Sequence, residues 1–215
     1  MRISIYAPAV VLAFIASPSA HAQMFDGFVG YILEAQIGTV SVENGQTLNG
    51  DVPQRCELVY SVLVRDFEYA EGAFMSLDGA IAFVRSGDAA PRLLLELTAE
   101  YIDTESGYGM PYAPGSVYLV RGSETTRGEH LSFERREADG TVVTEYDAAA
   151  TRDMVVSSLR QGAIALAFER EPFVPASPFE IDPTVVETDY NGERTHSPEM
   201  RSEFLACTDR LLRTN

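Results

Sequence analysis

His130, Ser132 and Glu134 stand at alternate positions and supply the side-chain types of a base, a nucleophile and an orienting acid. Acyl-transfer chemistry needs such groups to converge in one chain of hydrogen bonds. On a strand they would instead run side by side, about 6.5–7 Å apart, and no G-x-S-x-G elbow lifts a serine out of the backbone. The spacing predicts a solvated polar face. Glu180 and Asp182 likewise share one strand face, opposite Phe179 and Ile181. Paired carboxylates can divide acid and base roles or hold a hard cation, yet with 32 Asp and Glu in the chain such pairs arise by chance. Asp189-Tyr190-Asn191-Gly192-Glu193 has the acids of a calcium loop without its twelve-residue ligand series; it reads as a turn built on Asn-Gly. His196 precedes a helix cap and has no partner in sequence. These residues define no catalytic group, no metal site and no cofactor.

The segment best suited to contact is Glu105 to Gly115, ESGYGMPYAPG, where Tyr108, Met110 and Tyr112 alternate with glycine and proline. Tyrosine joins an apolar body to a polar tip, which suits a contact surface, and a connection this long tends to be functional. The other reading is that its tyrosines cover the end of a sheet. Tyr108, Met110 and Tyr112 are the candidate binding residues.

Strand signals dominate the elements that would carry this loop. Glu57–Val64, Ala80–Val84, Arg92–Ile102, Ser116–Val120, Glu129–Glu134, Thr141–Tyr146 and Ala163–Phe168 are rich in β-branched and aromatic residues, with turn residues between them. Asp139-Gly140 predicts a tight hairpin. Together they predict a mainly β fold, an antiparallel β-sandwich or barrel, with one or two helices in the C-terminal third. The first helix is Asp147–Gln161, stopped by Gly162. The second begins at Ser197-Pro198, and Met200, Phe204, Cys207 and Leu211 recur along one of its faces. Residues 23–42 fit helix or strand equally.

Cys56 and Cys207 are the two cysteines. Too few histidines accompany them for a four-ligand zinc site, and pairing would clamp the last helix onto the first long strand. The bridge would enclose a loop of about 150 residues and remove roughly 4 to 5 kcal/mol of unfolded-state entropy.

Met1-Arg2, the apolar run Ile3–Ile15 and the small residues ending in Ala20-His21-Ala22 have the order of a secretory leader. Cleavage after Ala22 would leave residues 23–215 as one β-rich domain closed by a C-terminal helix, periplasmic or secreted, where a disulfide persists. No second long apolar run follows, so no membrane insertion is expected after cleavage. The formal net charge is −16, and there is no lysine. Such a charge repels nucleic acid and anionic membranes and favours a basic protein or a cation. Lysine-based Schiff-base chemistry and a P-loop are excluded.

From Leu159-Arg160-Gln161-Gly162 through the strand Ala163–Phe168 to the closing helix, about 55 residues resemble the end of invasion-associated locus B family proteins, although the tryptophans of that family are absent. The resemblance implies an exported β-rich envelope protein and carries over no site residue. The expectation is a non-enzymatic periplasmic binding or envelope-interaction module whose partner is a basic envelope protein or a small ligand. The alternative is a carboxylate-dependent hydrolase acting on envelope material.

Overall fold

The computed structural model describes residues 28–105, 108–171, 174–175 and 178–213. The expected leader lies outside the described residues, as do residues 106–107 of the tyrosine loop and most of the proline-rich stretch at 172–177.

Two antiparallel sheets make up most of the structure. The larger runs β1 (Gly38–Asn49), β2 (Val52–Asp66), β3 (Ala73–Val84), β4 (Arg92–Ile102), β9 (Thr141–Asp147), β8 (Ser132–Arg136), and β5 (Gly109–Tyr112) pairs with the end of β4 that β9 leaves free. The smaller runs β11 (Val174–Pro175), β10 (Ile164–Glu171), β6 (Val117–Arg121), β7 (Glu124–Thr125), with β12 (Phe179–Ile181) on β10. A hairpin of β13 (Val185–Thr188) and β14 (Arg194–His196) completes the strands. The antiparallel sandwich-like expectation holds. Residues 28–35 form a helix, α1, which leads into β1, so the described part of the ambiguous segment 23–42 is helix first and strand after.

Alternation decides the layers. Leu58 and Tyr60 on β2, Leu77 and Ile81 on β3, and Leu93, Leu95 and Leu97 on β4 point to the core; Glu57, Asp78 and Glu96 line the opposite, solvated face. The smaller sheet returns Leu119, Ile164, Leu166 and Phe168 to the same core. Tyr60 crosses the inner face to donate to the Glu96 carbonyl at 3.0 Å, and burial pushes its phenol well above the ordinary tyrosine range. It can lie there because residue 79 is glycine: a Cβ at Gly79 would stand 2.0 Å from the Glu96 oxygen and 2.7 Å from the Tyr60 hydroxyl. Gly79→Ala must displace backbone as well as ring, and we expect it to cost about 1–3 kcal/mol of stability, read as a lowered Tm with unchanged strand content.

Helices close the far end of the core. α2 (Ala148–Gln161) starts where the Asp147 carboxylate accepts the Ala149 and Ala150 N–H groups, and stops where Gly162 turns left-handed at φ 111°. α3 (Pro198–Arg213) buries Phe204, Cys207 and Leu211, the face that periodicity predicts. Phe204 meets Phe83 of β3 with ring centroids 6.2 Å apart. Cys207 is bonded to Cys56 of β2, with 5.8 Å between their Cα atoms. Among the described residues no helix is long and apolar enough to cross a membrane.

Candidate functional site

The strand register brings three connections to one end of the larger sheet. Asp66 ends β2 opposite Ala73, and Ile102 ends β4 opposite Phe74, so the β2–β3 turn and the β4–β5 turn are neighbours. β10 finishes beside them, because Arg170 reaches both Asp66 and Tyr101.

Those three residues form a buried polar centre. The Asp66 carboxylate accepts from Tyr101 Oη at 2.5 Å, from Arg170 Nη2, and from the Tyr69 N–H at 3.0 Å. Arg170 Nη1 donates to Tyr101 Oη at 2.7 Å. The side chains of Arg170 and Asp66 keep only 8% and 4% of their accessible surface. Tyr69 lies over the guanidinium, 4.3 Å from ring centroid to Cζ, and Tyr112 approaches it at 5.4 Å. Burial alone would raise the Asp66 pKa, but the hydrogen bonds from Tyr101 and the Tyr69 N–H, with the Arg170 charge, outweigh it and hold the carboxyl below its usual range. Burial raises the Tyr101 phenol, and its bond to Asp66 raises it further. A carboxylate held ionised in this way cannot act as a general acid, which works best near the operating pH. Its chemistry is that of a clamp joining β2, β4 and β10.

The clamp carries an apolar and acidic rim. Phe67 is 73% exposed in the β2–β3 turn and Tyr108 is 77% exposed in the β4–β5 turn, with Tyr69 and Met110 exposed beside them. The first turn is tightly specified. Glu71 and Gly72 both adopt positive φ, 51° and 88°, the Gly72 carbonyl accepts from Arg65 Nη1 at 3.0 Å, and the Phe67 ring occupies the space a Cβ on Gly72 would take. In the second turn the Asp103 N–H donates to the Tyr108 carbonyl at 3.0 Å. α1 enters from the same end, where Glu34 pairs with Arg65, and adds exposed Phe28 and Tyr31. Glu68, Glu71, Glu100, Asp103 and Glu105 belong to these two turns and the strand end between them. The cations Arg65 and Arg170 are already paired with Glu34 and Asp66.

Under the rim, between the sheets, lies a cavity of about 540 Å³ lined by Met75, Leu77, Phe168 and Phe179 on its apolar side and by Arg65, Asp66, Glu68 and Arg170 on its polar side. That volume is within the range of small-molecule sites.

The three tyrosine-loop candidates separate. Tyr108 and Met110 face solvent. Tyr112 turns inward, packs edge-on against Tyr101 at 5.9 Å, and donates to the Arg170 carbonyl at 2.8 Å. Gly109–Tyr112 of the expected loop is strand β5, and Pro111 is tolerated there because β5 is short and lies at an edge. Sequence reasoning passed over Phe67, Tyr69 and the clamp itself. The one local signal was the run Asp66-Phe67-Glu68-Tyr69, apolar and acidic residues in alternation after a strand.

Of the remaining sequence candidates only Asp182 and His196 meet, through Thr184 Oγ1, which lies 2.7 Å from the Asp182 carboxylate and 2.9 Å from His196 Nδ1 at a solvent-exposed position. Ser132 Oγ donates to Glu145 at 2.9 Å, while the His130 ring packs edge-on against Phe133 and Tyr146. Asp182 accepts from the Thr184 N–H and hydroxyl. Asp189 accepts from the N–H groups of Asn191 and Glu193, closing the Asn-Gly turn. Among the described residues no three His, Cys, Asp or Glu side chains are grouped to hold a metal ion.

The fold is therefore an antiparallel two-sheet arrangement with an aromatic and acidic end built on a buried hydrogen-bonded centre. No family model matches the chain, and neither the curated proteins nor the solved structures contain a match.

Proposed function

We propose that this is an exported, non-enzymatic interaction module of the bacterial envelope, and that the clamped end of the larger sheet binds a basic protein. The observation that carries the reading is the pairing of exposed Phe67, Tyr69, Tyr108 and Met110 with the acidic residues of the same two turns on a buried Asp66–Tyr101–Arg170 base. Aromatic residues and Met are enriched where proteins meet, and their energy is concentrated in a few well-held anchors. The carboxylates would steer a cationic partner and set a salt-dependent on-rate. A fixed base reduces the entropy lost on binding. The leader-like N-terminus, the Cys56–Cys207 bridge and the C-terminal resemblance to invasion-associated locus B proteins all support a periplasmic setting.

The test is capture from envelope extract by the oxidised protein, compared with its Phe67→Ala/Tyr108→Ala variant. We expect one basic partner that is lost at raised salt, and an affinity at least tenfold weaker for the variant, as hot-spot loss implies. Both side chains are exposed, so the variant should keep its Tm. Equal capture by both proteins would remove this surface from the account. The inter-sheet cavity favours a second reading, a small amphipathic ligand, which would leave capture unaffected and instead appear as a Tm rise with lipid or cell-wall fragments.

A further inference from the structure

The larger sheet ends in two unlike edges. At one, β1 is covered: Thr39 Oγ1 accepts from the Asp182 N–H at 2.9 Å, its carbonyl accepts from Thr188 Oγ1 at 2.9 Å, and Arg194 donates to the Ile37 carbonyl at 2.6 Å. At the other, β8 pairs with β9 on one side, and no described strand lies on its other side. All of its residues are exposed. Such an edge is a ready template for another strand, and β8 contains no proline to block one.

Its side chains divide by face. Ser132, Glu134 and Arg136 oppose Glu145, Val143 and Thr141 and lie on the solvated face; Phe133 and Arg135 oppose the buried Thr144 and Val142. Phe133 is nevertheless half exposed, as is Leu131 before it. His130 supports Phe133 edge-on, with centroids 5.4 Å apart. Glu134 makes no ion pair among the described residues, while Arg136 makes only loose ones, at 3.7 Å, to Glu96 and Asp139.

We infer that β8 pairs antiparallel with β8 of a second copy, about a two-fold axis at Glu134. That register is the one in which the whole of β8 overlaps itself, because the chain turns into a 3-10 turn at Glu137–Asp139. It sets each Phe133 opposite Arg135 of the second copy, a cation–π cross-strand pair made twice. On the solvated face it gathers both Glu134 and both Arg136 side chains into an electrically neutral quartet, with each Arg136 diagonal to Glu134 of the other copy. The direct Glu134–Glu134 opposition is the weak point, and it supplies the test. The reading is independent of the clamped end, which lies on other strands.

The experiment is sedimentation velocity of the mature, oxidised protein from low to high micromolar concentration at about 0.15 M salt, where the Debye length of about 8 Å screens the long-range repulsion of two acidic copies. The wild type is expected to pass from monomer to dimer over this range. Phe133→Asp should leave it monomeric. Glu134→Lys should do the same by making the quartet wholly cationic, and adding Arg136→Glu to Glu134→Lys should restore the dimer. These positions are exposed, and circular dichroism confirms that each variant is folded. A wild type that stays monomeric throughout, or a dimer indifferent to these substitutions, would overturn the inference.

Discussion

Replacing both Cys56 and Cys207 by serine is expected to lower the unfolding free energy by about 5 kcal/mol, since the bridge closes a loop spanning a sequence separation of 151. That is comparable with the whole stability of many domains, about 5–15 kcal/mol, so the reduced protein should unfold at a much lower denaturant midpoint and lose α3 first. α3 depends on the bridge more than the sheets do. It packs through one face, Phe204, Cys207 and Leu211, and the bridge sits in the middle of that face. Urea titrations of oxidised and serine-substituted protein, followed by far-ultraviolet circular dichroism, check this. Coincident midpoints would mean that helix packing alone suffices.

The second large effect lies in the clamp. Asp66→Ala should cost about 3–5 kcal/mol, because it leaves the Arg170 guanidinium buried without its counter-charge. Arg170→Met should cost less, since Asp66 would keep its bonds from Tyr101 and the Tyr69 N–H. The pH dependence has a definite sign. The Asp66 pKa is lowered in the folded state, so its stabilisation is fully present above the unfolded carboxylate value of about 3.9 and is lost as pH falls through the lower folded value. The Tm gap between wild type and Asp66→Asn should therefore be widest at neutral pH and narrow only below about pH 4. A gap that stayed constant through acid pH would mean that the clamp contributes packing alone.

Much of the fold was legible because its signals are local. Arg92–Ile102 reads as strand and is β4 over the same residues. Asp147 and Gly162 bracket α2, and Ser197-Pro198 opens α3. The failures have physical causes. Only Ala80–Val84 of β3 reads as strand, because Asp78-Gly79 interrupts the β-propensity; that glycine is fixed by the passage of Tyr60 across the sheet. β5 hides behind Gly109 and Pro111, being held by pairing with β4 and not by its own composition. The strand expected at Glu129–Glu134 lies instead at Ser132–Arg136, and Leu131 and Phe133 are exposed, because alternation gives the faces of a strand and not its bounds or its place in the sheet.

The site was half legible. Tyr108 and Met110 were visible as aromatic and apolar residues among glycines. The centre beneath them was not, since Tyr101 is 35 residues from Asp66 and Arg170 is 69 residues beyond Tyr101. Only the sheet register makes them neighbours. Tyr112 had the composition of a contact residue, and pairing through β5 turned it inward.

The most direct test of the proposed function is photo-crosslinking in the living cell, with a benzophenone amino acid placed singly at Phe67, Tyr108 and, as a control at the opposite end of the sheet, Leu48, which is also exposed. The account predicts a discrete adduct to a basic protein from positions 67 and 108 and none from 48. No adduct at 67 and 108, or the same adduct from all three positions, would contradict it.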